Sequence, residues 1–309
     1  MITTVTLNPA IDRTAVVPRF TPGIVNRMVS LRSDVGGKGL NVSKCLKSFG
    51  CPTTAVGFFG GYTGIWLKER LAALEIPLLA VEIAGENRSN LKILDPEAHR
   101  NTDINEPGPV IAPAELAQLL AVLDGHVAAG DTLILSGSLP GGVPVTLYRD
   151  LTARFRAKGA AAYVDADGES FREAVSAAPE LVKPNKEELE RFAGRPLPDW
   201  ASVLDAARGL LDRGIGTVVV SRGGDGALLC RRDGVWKAPG LSVPVGSTVG
   251  AGDSMVAALA YGQETGMDWP DRLRLAVAVS AASVMCRGTQ VPEHDTIARL
   301  YRQVTIEEV

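Results

Sequence analysis

The chain has 309 residues, of which 46% are hydrophobic and 22% charged, the composition of a globular protein with a buried core. Its formal net charge of -3 excludes a bulk attraction to nucleic acid or to an anionic membrane, so any bound anion must be held by local groups. The cysteines are scattered without a CxxC pair, which fits a reducing cytosol better than a disulfide framework.

The N-terminal sequence MITTVTLNPAIDR lacks a basic stretch followed by an apolar one, so it does not predict a signal peptide. No uninterrupted apolar run reaches the roughly 18 residues that a membrane-spanning helix needs. We therefore expect a cytoplasmic protein without a nucleic acid or membrane partner.

Short apolar strands alternate with amphipathic helices along most of the chain. The predicted strands are Thr3–Leu7, Thr53–Gly57, Thr132–Ser136, Ala161–Asp165, Leu181–Lys183 and Thr217–Ser221. A first helix is predicted over Leu40–Phe49, where apolar residues recur at i, i+3, i+4 and i+7. Strands separated by helices indicate an α/β protein with a mostly parallel sheet that is covered on both faces.

Two segments, residues 13–35 and 88–108, lack helical periodicity and predict antiparallel strands inserted at one edge of the sheet. Within RSNLKI, the polar residues Arg88, Asn90 and Lys92 alternate with Ser89, Leu91 and Ile93, so they share one face of a strand. This pattern predicts either a lid with a polar underside or a strand face exposed to solvent.

Polar and glycine-rich sequences follow several of the predicted strands. Asp12 comes after the first strand, and SGSLPGG, PNKEE and RGGDGA follow later ones. Because ligands bind beyond the carboxyl ends of the strands in an open parallel sheet, these sequences together predict a binding cleft.

The sequence VGGKGLNVS predicts a flexible loop at the start of the first helix. It places Gly36, Gly37 and Gly39 around Lys38, which suits a small anionic or hydroxylated ligand, and Asn41 is positioned to hydrogen-bond a sugar. The loop does not fit GxxxxGK[ST], and the chain contains no GxGxxG, which argues against a dinucleotide oxidoreductase.

In KPNKEEL, Asn185 and Glu188 are three residues apart, so both face one side of a helix that begins near Pro184. A carboxylate and an amide in this arrangement suit a hydrated Mg²⁺ beside nucleotide phosphates. The alternative is a helix-capping pair.

The sequence STVGAGDSM predicts a helix that begins at a glycine-rich turn. Backbone amides of Gly250, Ala251 and Gly252 would stabilise charge on a transferring phosphoryl group. Asp253, kept ionised by the field of the same helix, would accept the proton of an attacking hydroxyl, although it also suits a purely capping role.

Together, TLNPAID, GGKGLN, RSNLKI, SGSLP, KPNKEEL, SRGGDGA and STVGAGDSM resemble the motifs of ribokinase-like (PfkB) sugar kinases, in the same order and over nearly the whole chain. The resemblance implies a single ribokinase-like domain over residues 1–309, a doubly wound sheet with a small β-sheet lid. Within this family, the motifs are most similar to those of bacterial 1-phosphofructokinases.

The resemblance also implies roles for individual residues. Asp253 corresponds to the catalytic base, and Gly250, Ala251 and Gly252 correspond to the anion hole. The implied sugar-phosphate ligands are Asp12, Gly37, Lys38, Asn41, Arg88, Asn90 and Lys92. The implied ATP-binding residues are Lys183, Asn185, Ser221, Gly223, Gly226, Thr248, Gly250 and Gly252, with Asn185 and Glu188 near Mg²⁺ through water.

The activity implied by the resemblance is transfer of phosphate from ATP to D-fructose 1-phosphate, with Mg²⁺, in a homodimer formed through the lid. Phosphorylation of tagatose 6-phosphate or fructose 6-phosphate by the same chemistry is the nearest alternative. A regulator that binds nucleotide or sugar without catalysis is an alternative of another class, although Asp253 and the glycines before it argue against it.

Overall fold

The structure is a computed structural model that describes residues 1–98 and 100–309. Its strands are β1 (Ile2–Thr6), β2 (Ala10–Val16), β3 (Ser30–Gly36), β4 (Thr53–Phe59), β5 (Leu78–Glu82), β6 (Arg88–Asp95), β7 (Arg100–Asn105), β8 (Thr132–Ser136), β9 (Ala161–Asp165), β10 (Leu181–Val182), β11 (Thr217–Ser221), β12 (Ala227–Cys230), β13 (Val235–Ala238) and β14 (Glu307–Glu308). Its α-helices are α1 (Lys38–Ser48), α2 (Gly61–Ala73), α3 (Pro113–His126), α4 (Leu147–Ala157), α5 (Gly168–Val175), α6 (Lys186–Ala193), α7 (Trp200–Leu211), α8 (Ala251–Glu264), α9 (Trp269–Val284) and α10 (His294–Tyr301). Across the described residues, every helix falls short of the length and apolarity that a membrane span requires.

The larger sheet has ten strands in the order β14-β13-β12-β11-β10-β9-β8-β1-β4-β5. The strands from β5 to β11 in this order pair in parallel, and β12, β13 and β14 extend the sheet as antiparallel strands. The predicted class, an α/β fold with a mostly parallel sheet, is confirmed.

Helices cover both faces of this sheet because side chains of a strand alternate between the faces. In β8, Leu133 and Leu135 join the apolar cluster formed with α3, α4, α5 and α7. Ile134, between them, joins the opposite cluster formed with α1, α8, α9 and α10. The fully buried strands therefore read as continuous apolar runs, which is why the sequence identified them readily.

Predicted and observed boundaries agree within two residues. The strands Thr132–Ser136, Ala161–Asp165 and Thr217–Ser221 are observed as predicted, and β4 continues two residues further to Phe59. Helix α1 begins at Lys38, two residues before the predicted start, so Lys38 is itself part of the first helical turn.

The two inserted segments form a separate four-stranded sheet, the lid sheet, in the order β3-β2-β6-β7. The expected small β-sheet lid is confirmed as a separate sheet, and the strands within each inserted segment pair antiparallel as predicted. The prediction is wrong for the central pair, β2 and β6, which is parallel. The parallel pairing has a simple cause. Strands β2 and β6 follow β1 and β5 in the chain. Because β1 and β5 run in the same direction, the chain leaves both at the carboxyl ends of the main-sheet strands and enters the lid twice in the same direction.

Candidate active site

A cleft lies between the carboxyl ends of the parallel strands and the lid sheet. Its first chamber has a volume of about 470 Å³, and a second chamber of about 720 Å³ adjoins it beside residues 136–141. Most of the residues predicted for the site line the first chamber: Asp12, Gly37, Lys38, Asn41, Arg88, Asn90, Lys92, Lys183, Asn185, Glu188, Ser221, Gly250, Gly252 and Asp253. Gly37, Lys38, Arg88, Asn105 and Glu188 line both chambers.

The Asp253 carboxylate is buried in the first turn of α8, with 6% of the residue exposed. Its Oδ2 accepts a hydrogen bond of 2.8 Å from Asn41 Nδ2. Burial raises the pKa of Asp253 to about 6, against the opposing effect of the Lys38 ammonium. The field of the helix therefore does not alone keep this acid ionised: it is an anion at neutral pH and takes up a proton below about pH 6.

At the tip of α8, Gly250 and Gly252 line the first chamber, whereas Ala251 between them lines neither chamber. Gly250 is the N-cap residue and has φ +82°, a left-handed conformation that glycine adopts without strain. No side chain caps this end, and the Ala251 amide makes only a long contact of 3.5 Å with the Thr248 carbonyl. The first amides of a helix have no partner within the helix, so this end is suited to an anion.

Two lysines flank a buried aspartate at the base of the cleft. Lys38 Nζ and Lys183 Nζ each lie 3.4 Å from Asp165 Oδ1. The two ammonium groups lower the pKa of the Asp165 carboxyl despite its burial, and Asp165 in turn raises the pKa of Lys38. A Cβ at Gly252 would lie 3.1 Å from Lys183 Nζ, so this lysine is adjacent to the helix tip. The result is a fixed positive site beside Asp253.

The underside of the lid carries two rows of polar residues in register across its strands. The first row is Asp34, Asp12, Asn90 and Asn105. The second row is Arg32, Thr14, Lys92 and Asp103. Within the first row, Asn90 Nδ2 donates to Asp12 Oδ1 at 2.9 Å. All of these residues except Arg32 line the first chamber, so the alternation in RSNLKI corresponds to a cleft-facing surface.

The cationic side chains of the lid differ in how far they are neutralised. Lys92 Nζ lies 2.8 Å from Asp103 Oδ1, so its charge is already paired. Arg88 instead donates to two backbone oxygens, those of Asn8 at 3.3 Å and Glu106 at 3.0 Å. Arg88 is therefore better suited than Lys92 to bind a phosphate.

Asn185 and Glu188 form a complete capping box at the start of α6. Asn185 Oδ1 accepts from the Glu188 amide at 2.8 Å, and Glu188 Oε2 accepts from the Asn185 amide at 2.8 Å. Both residues also line the first chamber. Burial raises the pKa of Glu188, with Lys38 opposing that effect. The predicted capping pair is therefore present in the structure. The second carboxylate oxygen of Glu188, Oε1, takes no part in the capping box.

Three of the predicted ATP-binding residues do not line either chamber. Gly223 begins a short 3-10 turn, and Thr248 is exposed in the loop before α8. Gly226 has φ +105°, and a Cβ there would lie 2.0 Å from the Ala238 carbonyl oxygen. The close approach of β13 therefore requires glycine at position 226, independently of any role in ligand binding.

The structure adds cleft residues that the sequence did not single out. Asp165 ends β9, and the rule that ligands meet the carboxyl ends of strands would have found it. Ser138 lies in SGSLP and accepts a hydrogen bond from Asn8 Nδ2 at 3.3 Å. Asp103 and Asn105 could be found only from the strand register, because β7 is exposed along its whole length and shows no burial pattern.

Within the described residues, no group of three or more His, Cys, Asp or Glu side chains is arranged to hold a metal ion by itself. A cation in the cleft would therefore need ligands from water or from a bound substrate.

Residues 5–296 match the sequence pattern of the pfkB family of carbohydrate kinases. The chain belongs to this family. It is 38% identical to the 1-phosphofructokinase of Rhodobacter capsulatus over 99% of this chain and 97% of that protein. The ribokinase-like class inferred from the motifs is thus confirmed.

A solved phosphofructokinase structure has the same fold. Phosphofructokinase-2 from Escherichia coli, in complex with substrates and products, superimposes with a TM-score of 0.94 at 31% identity, covering 98% of each chain. A tetrameric inhibited form of that enzyme superimposes with a TM-score of 0.90 at 31% identity, also covering 98% of each chain.

Proposed function

We propose that this pfkB-family protein transfers the γ-phosphate of ATP to the 6-hydroxyl of D-fructose 1-phosphate, giving fructose 1,6-bisphosphate and ADP. The observation that carries the proposal is the position of the buried Asp253 carboxylate beside open helix amides and two lysines, opposite the polar underside of the lid. The 38% identity to a 1-phosphofructokinase over nearly the whole chain supports this substrate.

In the proposed reaction, the 6-hydroxyl oxygen attacks the γ-phosphorus in line while Asp253 takes up the hydroxyl proton. The new bond joins this oxygen to phosphorus, and the bond between phosphorus and the β,γ-bridging oxygen breaks, so the electron pair leaves with ADP. The amides of Ala251 and Gly252, with Lys183, stabilise the charge that develops on the phosphoryl oxygens.

Binding of the sugar phosphate requires a cation at one end and hydrogen bonds along the ring. Arg88 would hold the existing phosphate as a charge-assisted donor, and Lys38 lies within the same wall of the cleft. Asp12, Asn41 and Asn90 would bind ring hydroxyls, with Gly37 allowing close approach. Lys92 would contribute little direct charge because Asp103 neutralises it. A lid closed over the sugar would exclude water and suppress hydrolysis of ATP.

The residues present fit Mg²⁺ bound together with ATP. Mg²⁺ typically uses one or two protein carboxylates, substrate phosphates and several waters. Glu188 supplies one carboxylate oxygen outside its capping box, and Asn185 adjoins it. When bound, Mg²⁺ would neutralise charge on the nucleotide phosphates. Ser221, Gly223, Gly226 and Thr248 are proposed to line the nucleotide side.

The protein is also proposed to form a homodimer through the lid. Apolar side chains of the lid are exposed, among them Val25 at 82% and Val29 at 70%. Contiguous exposed apolar surface of this kind usually contacts a partner. A cytoplasmic location stays a prediction.

The proposed function is tested by measuring ADP release with fructose 1-phosphate, fructose 6-phosphate and tagatose 6-phosphate as acceptors. We expect sugar-dependent release with the highest kcat/KM for fructose 1-phosphate, since discrimination is a ratio of specificity constants. A higher kcat/KM for either 6-phosphate would contradict the assigned substrate. Nucleotide binding without sugar-dependent ADP release would instead identify a regulator.

A further inference from the structure

Asn105 occupies the open end of the first polar row of the lid. It is the last residue of β7 and pairs with Asn90, which is hydrogen-bonded to Asp12. Asn105 is exposed, and it lines both chambers of the cleft. The register of the lid therefore places a carboxamide at the junction of the chambers.

Asn105 also borders the guanidinium group best suited to a phosphate. Arg88 Nη1 donates to the carbonyl oxygen of Glu106, the residue after Asn105, at 3.0 Å. Arg88 lines both chambers as well. A sugar phosphate with its phosphate at Arg88 and its free primary hydroxyl at Asp253 would thus have its phosphate-bearing end beside Asn105.

This position matters because of the chemistry of the competing sugars, an argument that rests on the proposed function. In the furanose form of fructose 1-phosphate, the carbon next to the phosphate-bearing carbon is the anomeric C2, which carries a hydroxyl. In fructose 6-phosphate and tagatose 6-phosphate, the corresponding carbon is C5, which carries a hydrogen atom in place of that hydroxyl. At the phosphate end, the substrates therefore differ by one hydroxyl group.

We propose that Asn105 is the residue that selects a ketohexose 1-phosphate over a 6-phosphate, by accepting a hydrogen bond from the anomeric hydroxyl through Oδ1. A carboxamide has both an acceptor and a donor, so Nδ2 can donate to the neighbouring phosphate at the same time. An aspartate at this position would repel the phosphate. A 6-phosphate offers no donor to Oδ1, and a site built to bind a hydroxyl discriminates against an analogue that lacks it.

The test compares wild-type enzyme with Asn105→Ala, using kcat/KM for fructose 1-phosphate and for fructose 6-phosphate. We expect the ratio of the two constants to fall about tenfold, the scale of one hydrogen bond to a substrate, with KM for ATP unchanged. The matched control is Asn101→Ala, which changes the same residue type on the same strand but lies outside both chambers. The control should keep the wild-type ratio.

A second substrate isolates the hydroxyl itself. In 2,5-anhydro-D-mannitol 1-phosphate, hydrogen replaces the anomeric hydroxyl. Wild-type enzyme should lose about as much kcat/KM with this analogue as Asn105→Ala loses with fructose 1-phosphate, and the variant should lose little further. Equal losses in wild type and variant on removal of the hydroxyl would overturn the assignment of Asn105, as would an unchanged 1-phosphate to 6-phosphate ratio. Absence of activity on fructose 1-phosphate in the wild-type enzyme would overturn the proposed function as well, so the two failures are distinguishable.

Discussion

Burial gives the Asp253 carboxylate the basicity that a proton acceptor needs. An ordinary exposed aspartate binds protons weakly at neutral pH, whereas a pKa near 6 brings the group close to the pH at which it would act. The hydrogen bond from Asn41 fixes one carboxylate oxygen and leaves the other for a ligand. The environment thus adjusts both the basicity and the orientation of this residue.

Replacing Asp253 by Asn should reduce kcat by a factor of roughly 100 or more, because the amide cannot accept the hydroxyl proton. ATP affinity should change little, since the helix amides and Lys183 are retained. Single-turnover kinetics and equilibrium ATP binding measure the two effects. Asp268→Asn, at the N-cap of α9, is the matched control and should keep wild-type turnover. Wild-type turnover in Asp253→Asn would refute the role of this residue as the base.

The same substitution should stabilise the protein at neutral pH. Because the folded-state pKa of Asp253 is raised from 3.8 to about 6, ionisation favours the unfolded state increasingly as the pH rises through this interval. The destabilisation is complete above about pH 6 and is absent well below pH 4. Asp253→Asn should therefore raise Tm at pH 7.5, and by less at pH 5, in thermal unfolding without ligands. An equal or lower Tm at pH 7.5 would show that burial of this charge does not destabilise the fold.

At the level of elements, the start of α6 combines a structural and a proposed binding role in one side chain. Glu188 closes the capping box through Oε2, and the same carboxylate faces the first chamber. Helix α7 also begins with a capping box, formed by Asp199 and Ser202, but its residues do not line the cleft. Helices α6 and α7 therefore allow a capping box at the cleft to be compared with a capping box outside it.

Glu188→Gln should preserve the capping box while removing the charge proposed for Mg²⁺. We expect an unchanged or higher Tm at neutral pH, because burial raises the pKa of Glu188 and the amide removes the buried charge. We also expect a higher Mg²⁺ concentration for half-maximal activity, measured by titrating the cation at fixed ATP. Ser202→Ala, at the equivalent position of α7, should reduce stability by about 1 kcal/mol or less and leave the Mg²⁺ requirement alone. An unchanged Mg²⁺ requirement in Glu188→Gln would argue against its role near the cation.

The sequence predicts helices and strands whose residue pattern reflects burial. It does not predict the strand pairs and residue rows of the lid, which depend on how separate segments of the chain pair. Strands β1, β4, β8, β9, β10 and β11 and helix α1 are predicted correctly because apolar runs and 3.6-residue periodicity report burial directly. The other main-sheet strands, β5, β12, β13 and β14, are not predicted. The parallel pairing of β2 with β6 depends on where the chain leaves the main sheet, after β1 and after β5. The first polar row of the lid, which contains Asp34 and Asn105, depends on that pairing. The ion pair that neutralises Lys92 depends instead on the register of the β6–β7 hairpin, which places Asp103 opposite Lys92 and leaves no burial pattern in the exposed β7.

For the whole molecule, the lid has two surfaces of different character. Its underside is polar and faces the cleft, whereas the segment before β3 exposes Ile24, Val25, Met28 and Val29. Apolar side chains exposed in one segment are more consistent with contact between copies than with a free surface.

Sedimentation velocity at micromolar protein should therefore give a dimer for the wild-type chain. Val25→Asp should shift the equilibrium towards monomer, because a charge buried in an apolar interface is unfavourable. Tyr62→Asp is the control: Tyr62 is 86% exposed but lies on α2, outside the lid, and its substitution should leave the dimer intact. A monomeric wild-type protein would rule out the lid-mediated dimer, and a tetramer would require a further interface.

The connectivity of the lid has a consequence for the order in which the protein assembles. Its two halves are hairpins of nearby strands, but the seam between them joins Asp12 and Asn90, which are 78 residues apart. Closing that seam needs the intervening β4 and α2 to be in place, so loop-closure entropy makes it a late step. During refolding, the nucleotide side of the cleft should gain protection from hydrogen exchange before the sugar side does.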